Sequence, residues 1–254
     1  MSVNEKMTSI TDAIRDKTGG VEKLSLDDMA VEIPKVYEAG KKAEYDAFWD
    51  AYQQSGERTD YQQAFAGKGW NDETYKPKYP LKPIASGANS MYQGSLISKV
   101  EADFSECTEL YQTFRNSGVK EITILDMAKA RTSNNYAVGS CSNLHTIGKL
   151  IVSETTAFVS NTFQSCSKLV NLVVEGVSAK AGFSLQWSTL LSKASIESVI
   201  NALSSTTTDL TVTLPKTAVN NAFGIDVDDV STYPEGSEYY ELRQSKSNWK
   251  ISYS

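Results

Sequence analysis

Histidine is almost missing from this sequence: in 254 residues only His145 carries an imidazole. A histidine-built metal site or a His-based triad is therefore hard to supply from one chain. Cysteine is scarce as well. Three are too few for a disulfide scaffold at this length, and the odd number leaves one unpaired. Basic charge is short, with 25 Lys+Arg against 31 Asp+Glu and a net charge of −6. Broad binding to a phosphate backbone needs a basic face, so that class is disfavoured. No apolar run approaches the ~18 residues that span a membrane. Candidates such as Val170 to Val174, interrupted by Asn171, are strand-sized. Met1 to Lys6 lead into no apolar stretch, so no secretory signal is read. With 40% hydrophobic and 22% charged residues, the chain reads as a soluble globular protein of one to three domains. What remains is a binding or structural protein, or an enzyme running on carboxylates alone. No cofactor and no metal are expected.

The charge that is present is unevenly placed. Residues 1–80 hold 26 charged side chains, whereas residues 132–224 hold 9 charged side chains and 27 Ser+Thr. The first region reads as solvated helices, the second as Ser/Thr-rich β structure. Asn4 is a cap for a helix to about Lys17, with Met7, Ile10 and Ile14 on one face and Gly19-Gly20 as its stop. Ser25-Leu26-Asp27-Asp28 resembles a capping box for a helix that Pro34 ends or kinks. A longer helix follows from about Lys35 to Gln54, with Gly56 as the stop and an apolar stripe of Val36, Tyr37, Tyr45, Phe48, Trp49 and Tyr52. That stripe has two readings. It packs on its own domain, or the helix self-associates along Ile33, Val36, Gly40, Ala43 and Ala47, whose spacings alternate between three and four. Thr59-Asp60 reads as another helix start. Pro77, Pro80 and Pro83 then read as an extended linker, and a domain boundary is placed there.

The middle of the chain repeats itself. Phe104-Ser-Glu-Cys107-Thr-Glu-Leu110 recurs as Phe163-Gln-Ser-Cys166-Ser-Lys-Leu169, and with valine in the aromatic slot as Val138-Gly-Ser-Cys141-Ser-Asn-Leu144. Degenerate copies start at Phe114 and Tyr92. Starts at 92, 114, 138 and 163 give periods of 22, 24 and 25, and the motif at Phe104 falls between two of them. A period of this size predicts a solenoid: each unit is too small to bury its own apolar face, and stacking makes one continuous core. The three cysteines read as one core slot used three times, buried as small apolar residues. Disulfide, metal and nucleophile roles stand as the alternatives. His145 reads as a surface side chain. Beyond the repeats, the sequence predicts a helix from Ser192 or Ser195, a strand Leu210–Leu214, a short helix to Phe223, a helix over Glu235–Ser245 and a strand Trp249–Tyr253. This block is a cap for the last coil. Asp226, Asp228 and Asp229 read as a solvated loop, since the Asp-x-Asp-x-Asp-Gly calcium arrangement is missing.

These residues carry a resemblance. The Phe-x-x-Cys-x-x-Leu units resemble BspA-like leucine-rich repeats of bacterial surface antigens. The start Ile10-Thr-Asp-Ala-Ile-Arg-Asp-Lys-Thr-Gly-Gly, with Leu24-Ser-Leu-Asp-Asp-Met29, is similar to the N-termini of tail-associated proteins of phages and prophages of Gram-positive bacteria. The stretch Tyr37 to Asp50 and the C-terminal elements also look like that group. The resemblance implies a virion tail or fibre component without catalytic residues, made in the host cytoplasm. It further implies a homo-oligomer, with three chains as the expectation. Its expected partners are other tail or baseplate proteins and a host cell-surface glycan or protein, with no nucleic acid and no membrane insertion.

The expected fold is α+β: a helical attachment region over 1–80, a leucine-rich-repeat solenoid over 81–190 and a helix-strand cap over 191–254. The expected function is a non-enzymatic structural and receptor-binding tail component. The alternatives are a cell-surface adhesin with the same repeats, or a polysaccharide hydrolase needing two facing carboxylates, against which the repeat region is poor in acids, with Glu154, Glu175 and Glu197 scattered.

Overall fold

The computed structural model describes residues 12, 16, 26–55, 58–67, 69–131, 134–178 and 180–254. The chain is α+β, with four helices among the described residues and a parallel β-solenoid of about five turns. It divides into two compact units, Met1–Gly56 and Glu57–Ser254.

The described part of the first unit is essentially one helix, α1, Leu26–Ser55. Pro34 lies inside it rather than ending it. A proline ring removes one N–H and crowds the preceding turn, yet the helix runs on through the long stretch that follows. Tyr45 and Trp49 are buried, and the rings of Phe48 and Trp49 meet edge to face at 5.0 Å. Asp12 and Asp16 are helical; the rest of the helix expected over 4–17, and its stop at Gly19-Gly20, lie outside the described residues, as does Gly56.

The second unit begins well before Leu81. No helix starts at Thr59. Residues 62–65 form a turn instead, whose backbone bonds to the next coil: Tyr61 N donates to Gly87 O and Phe65 N to Met91 O. The proline run is not a linker either. Leu81 pairs in parallel with Ala102, and Asp103 N donates to Leu81 O. The division at residue 56 therefore replaces the one expected near residue 80. The reason is that prolines with buried neighbours can serve in an extended coil edge as well as in a free linker.

Successive coils are held along two walls. One wall is a parallel sheet of β2 (Lys99–Val100), β4 (Glu121–Asp126), β5 (Thr146–Val152) and β6 (Asn171–Gly176) in that order, with β1 (Ile84–Ala85) and β3 (Glu106–Cys107) paired separately. Ile122, Ile147 and Leu172 stand in register and are all fully buried. The other wall is a stack of turns. Tyr92 N donates to Thr113 O, Phe114 N to Ala137 O and Val138 N to Thr162 O. Each turn uses left-handed residues, among them Ser90, Gln112, Asn116, Tyr136, Ser140 and Ser165. Such backbone costs about 1–2 kcal/mol per non-glycine residue, and the cross-coil hydrogen bonds hold it in place.

Aromatic rings fill the space between the walls. Phe65, Tyr92 and Phe114 stack at 5.1 and 5.2 Å, followed in the same slot by Val138 and Phe163.

The C-terminal elements follow the sequence closely: β7 (Phe183–Ser184), α2 (Lys193–Asn201), β8 (Thr211–Leu214), α3 (Lys216–Phe223), a 3-10 turn at Val230–Thr232, α4 (Glu238–Gln244) and β9 (Lys250–Tyr253). Strands β7, β8 and β9 form a second parallel sheet. Helix α2 seals the exposed edge of β6. Ser195 Oγ accepts from Leu172 N and donates to Val170 O, and Ser198 Oγ accepts from Val174 N. An unpaired strand edge invites association, and these serine hydroxyls close this one.

Candidate functional site

The repeat residues Phe104, Cys107, Leu110, Phe114, Cys141, Leu144, Phe163, Cys166 and Leu169 are all buried. They do not share one register. Cys141 Sγ donates to Phe114 O at 2.8 Å and Cys166 Sγ to Val138 O at 3.0 Å, so each thiol bonds to the aromatic-slot carbonyl one coil earlier. Ser117 occupies the same column, 3.6 Å from Cys141 Sγ. Cys107 lies elsewhere, on β3, paired with Ala85 and donating to Pro83 O. The single slot used three times is thus corrected to one column of two cysteines and a separate third.

The motif at Phe104 sits part of a coil out of phase because its residues serve a different side of the coil. Leu110 aligns with Ala88 and Asn134, which open the equivalent turns, and not with Leu144 and Leu169. All three thiols are free and buried. Burial pushes Cys107 and Cys141 up to about 12, and Cys166 is raised well above the ordinary thiol range for the same reason. Thiols this reluctant to ionise are poor nucleophiles and poor metal ligands.

His145 is exposed and its Nδ1 lies 3.2 Å from Thr146 Oγ1. Glu175 pairs with Lys149 at 2.8 Å on the sheet surface, while Glu154 and Glu197 sit on a turn and on α2. In the acidic loop, Lys216 pairs with both Asp226 and Asp228, and Asp229 accepts from Ser231 N. Among the described residues no group of three or more His, Cys, Asp or Glu side chains is placed to hold a metal ion. On α1, Gly40, Ala43 and Ala47 are exposed, Ile33 is half exposed and Val36 is half-buried. The five fall on one face, as their spacing required. No described helix is long and apolar enough to cross a membrane.

Two concavities were not anticipated from sequence. The first, of about 400 Å³, lies in the C-terminal block between the 3-10 turn and α4, with Tyr233, Tyr240, Arg243 and Trp249 in its wall. Arg243 donates to Tyr233 OH at 3.2 Å, and Trp249 Nε1 donates to Ser204 O, which fixes both rings.

The second is a groove of about 380 Å³ on the solenoid. Its floor is apolar: Pro80, Phe104, Ile124 and Ile151. Its rim carries Glu101, Asp103 and Asp126. The groove exists because the wall splits. Strand β2 pairs with β4 only at Glu121 and Ile122, after which its chain turns to Leu81 while β4 and β5 run on. Asp103 and Asp126 are held by their own backbones. Asp103 Oδ1 accepts from Ser105 N at 3.0 Å and Asp126 Oδ1 from Ala128 N at 2.9 Å. The Ser105 hydrogen bonds hold the Asp103 carboxyl below the usual carboxylate range. The two aspartates stand 23 residues apart, one solenoid period, and that spacing was the available sequence signal.

No family model, no curated protein and no solved structure matches this chain.

Proposed function

We propose that this chain is a non-enzymatic structural and receptor-binding component of a phage tail. Its N-terminal helices dock to the tail or self-associate, its leucine-rich-type repeats present a recognition surface, and the C-terminal block caps the last coil. The observation that carries this reading is the stacking of the repeat units into a parallel solenoid. That is the arrangement expected of the units that resemble BspA-like repeats, and it sets side chains in regular outward rows. The outer face of β4–β6 displays Thr123, Lys149, Val173 and Glu175 on a backbone fixed along two walls. A rigid, mixed surface of this kind suits recognition without large ordering costs.

The test is direct. Antiserum against the purified chain should decorate the tails of virions produced by a culture carrying its gene, and excess purified chain should slow adsorption of those virions to host cells. Virions that lack the chain would overturn the assignment.

A further inference from the structure

The split in the solenoid wall has the chemistry of a binding groove for a cationic, partly apolar strand. On one side, Thr123–Asp126 of β4 have a strand partner only in β5, because β2 stops after Val100. The groove beside that free edge is floored by apolar side chains, of which Ile124 is 42% exposed although it stands on a rigid strand. Its rim carries three carboxylates, and no lysine or arginine is among the residues that line it. Lys99 partly offsets Glu101 at 3.3 Å, but it is shared with Glu121 at 3.5 Å. Asp126 forms no ion pair among the described residues, and its carboxylate accepts from the backbone N–H of Ala128. A preformed negative rim over an apolar floor favours a group with an alkyl stem and a cationic head.

We infer that this groove binds an extended peptide segment of a partner protein, with lysine or arginine at the carboxylate rim and apolar side chains on the Ile124–Ile151 floor. A peptide is favoured over other cations because the free strand edge offers backbone pairing beside the side-chain sites. The site is independent of the tail assignment, since it rests on the groove alone.

The test uses the full chain and a defined probe, the peptide acetyl-Val-Lys-Val-Lys-Val-amide, titrated by calorimetry. The glutamate counterpart acetyl-Val-Glu-Val-Glu-Val-amide is the control. Binding of the lysine peptide should saturate and weaken when ionic strength rises from about 0.05 to 0.5 M. The pair Asp103→Asn and Asp126→Asn should weaken it about tenfold or more. Asparagine keeps an acceptor for Ser105 N and Ala128 N, so the turns stay formed, and an unchanged thermal midpoint verifies that. Ile124→Ser should weaken binding independently of salt. Absence of saturation at about 1 mM peptide, equal binding by the asparagine pair, or equal binding of the glutamate peptide would each overturn the inference. So would tighter binding of a glucosamine oligomer, which would assign the groove to a cationic saccharide instead.

Discussion

Buried thiols are the plainest case at the residue scale. Cys107, Cys141 and Cys166 each give the S–H to a backbone carbonyl and lie out of reach of solvent. At pH 8 a thiol at about 12 is ionised in only about one molecule in ten thousand. A thiol reagent at that pH should therefore label none of the three in the native chain and all three in denaturant, as counted by intact mass. The same shift has a consequence for stability. A thiol raised in the folded state favours folding fully below its unfolded value near 8.5, and that contribution is lost as pH rises toward the folded value. Burial of Tyr239 acts in the same direction. The unfolding free energy read from urea titrations should thus fall between pH 8 and pH 10, by about 2 kcal/mol per buried thiol. A flat profile would contradict the burial. That the cysteines are core residues was legible from their repeated setting. That Cys107 belongs to another column was not, because motif similarity cannot tell which side of a coil a residue occupies.

Elements succeed or fail here by what they pack against. The C-terminal helices and strands matched their periodicity and caps: Ser192 accepts from Ser195 N at the start of α2, and Gly224 ends α3 in the left-handed conformation. Around Thr59 the capping signal misled, because residues 61–67 find hydrogen-bond partners in the next coil and the aromatic ring of Phe65 stacks on Tyr92. Propensity is a weak prior when tertiary partners compete. Two substitutions probe elements specifically. Ser195→Ala leaves Leu172 N unmet, while Val170 O keeps the Ser192 N–H, and should cost about 1–3 kcal/mol, with faster amide exchange at Leu172. Gly176→Ala places a Cβ 2.0 Å from Val152 O at a φ of +100°. It should cost about 3 kcal/mol or more, seen as a lowered thermal midpoint.

For the whole molecule, the open question set by the sequence is association. The face carrying Ile33, Val36, Gly40, Ala43 and Ala47 is the proposed seam, and light scattering of the full chain tests it. The wild type should show an oligomeric mass, and Ala43→Asp with Ala47→Asp should reduce it to the mass of one chain. An unchanged multiplicity would place self-association elsewhere. Uneven charge and a period of 22–25 residues determined by themselves that the chain is a solenoid with helical additions, because a stacked core demands the same side chains at each turn. The tertiary structure alone decided where the solenoid begins, which repeats share a column and where the wall opens into an acidic groove. Those outcomes depend on hydrogen bonds and contacts between residues 20 or more positions apart, and no local pattern encodes which partner a backbone group will meet.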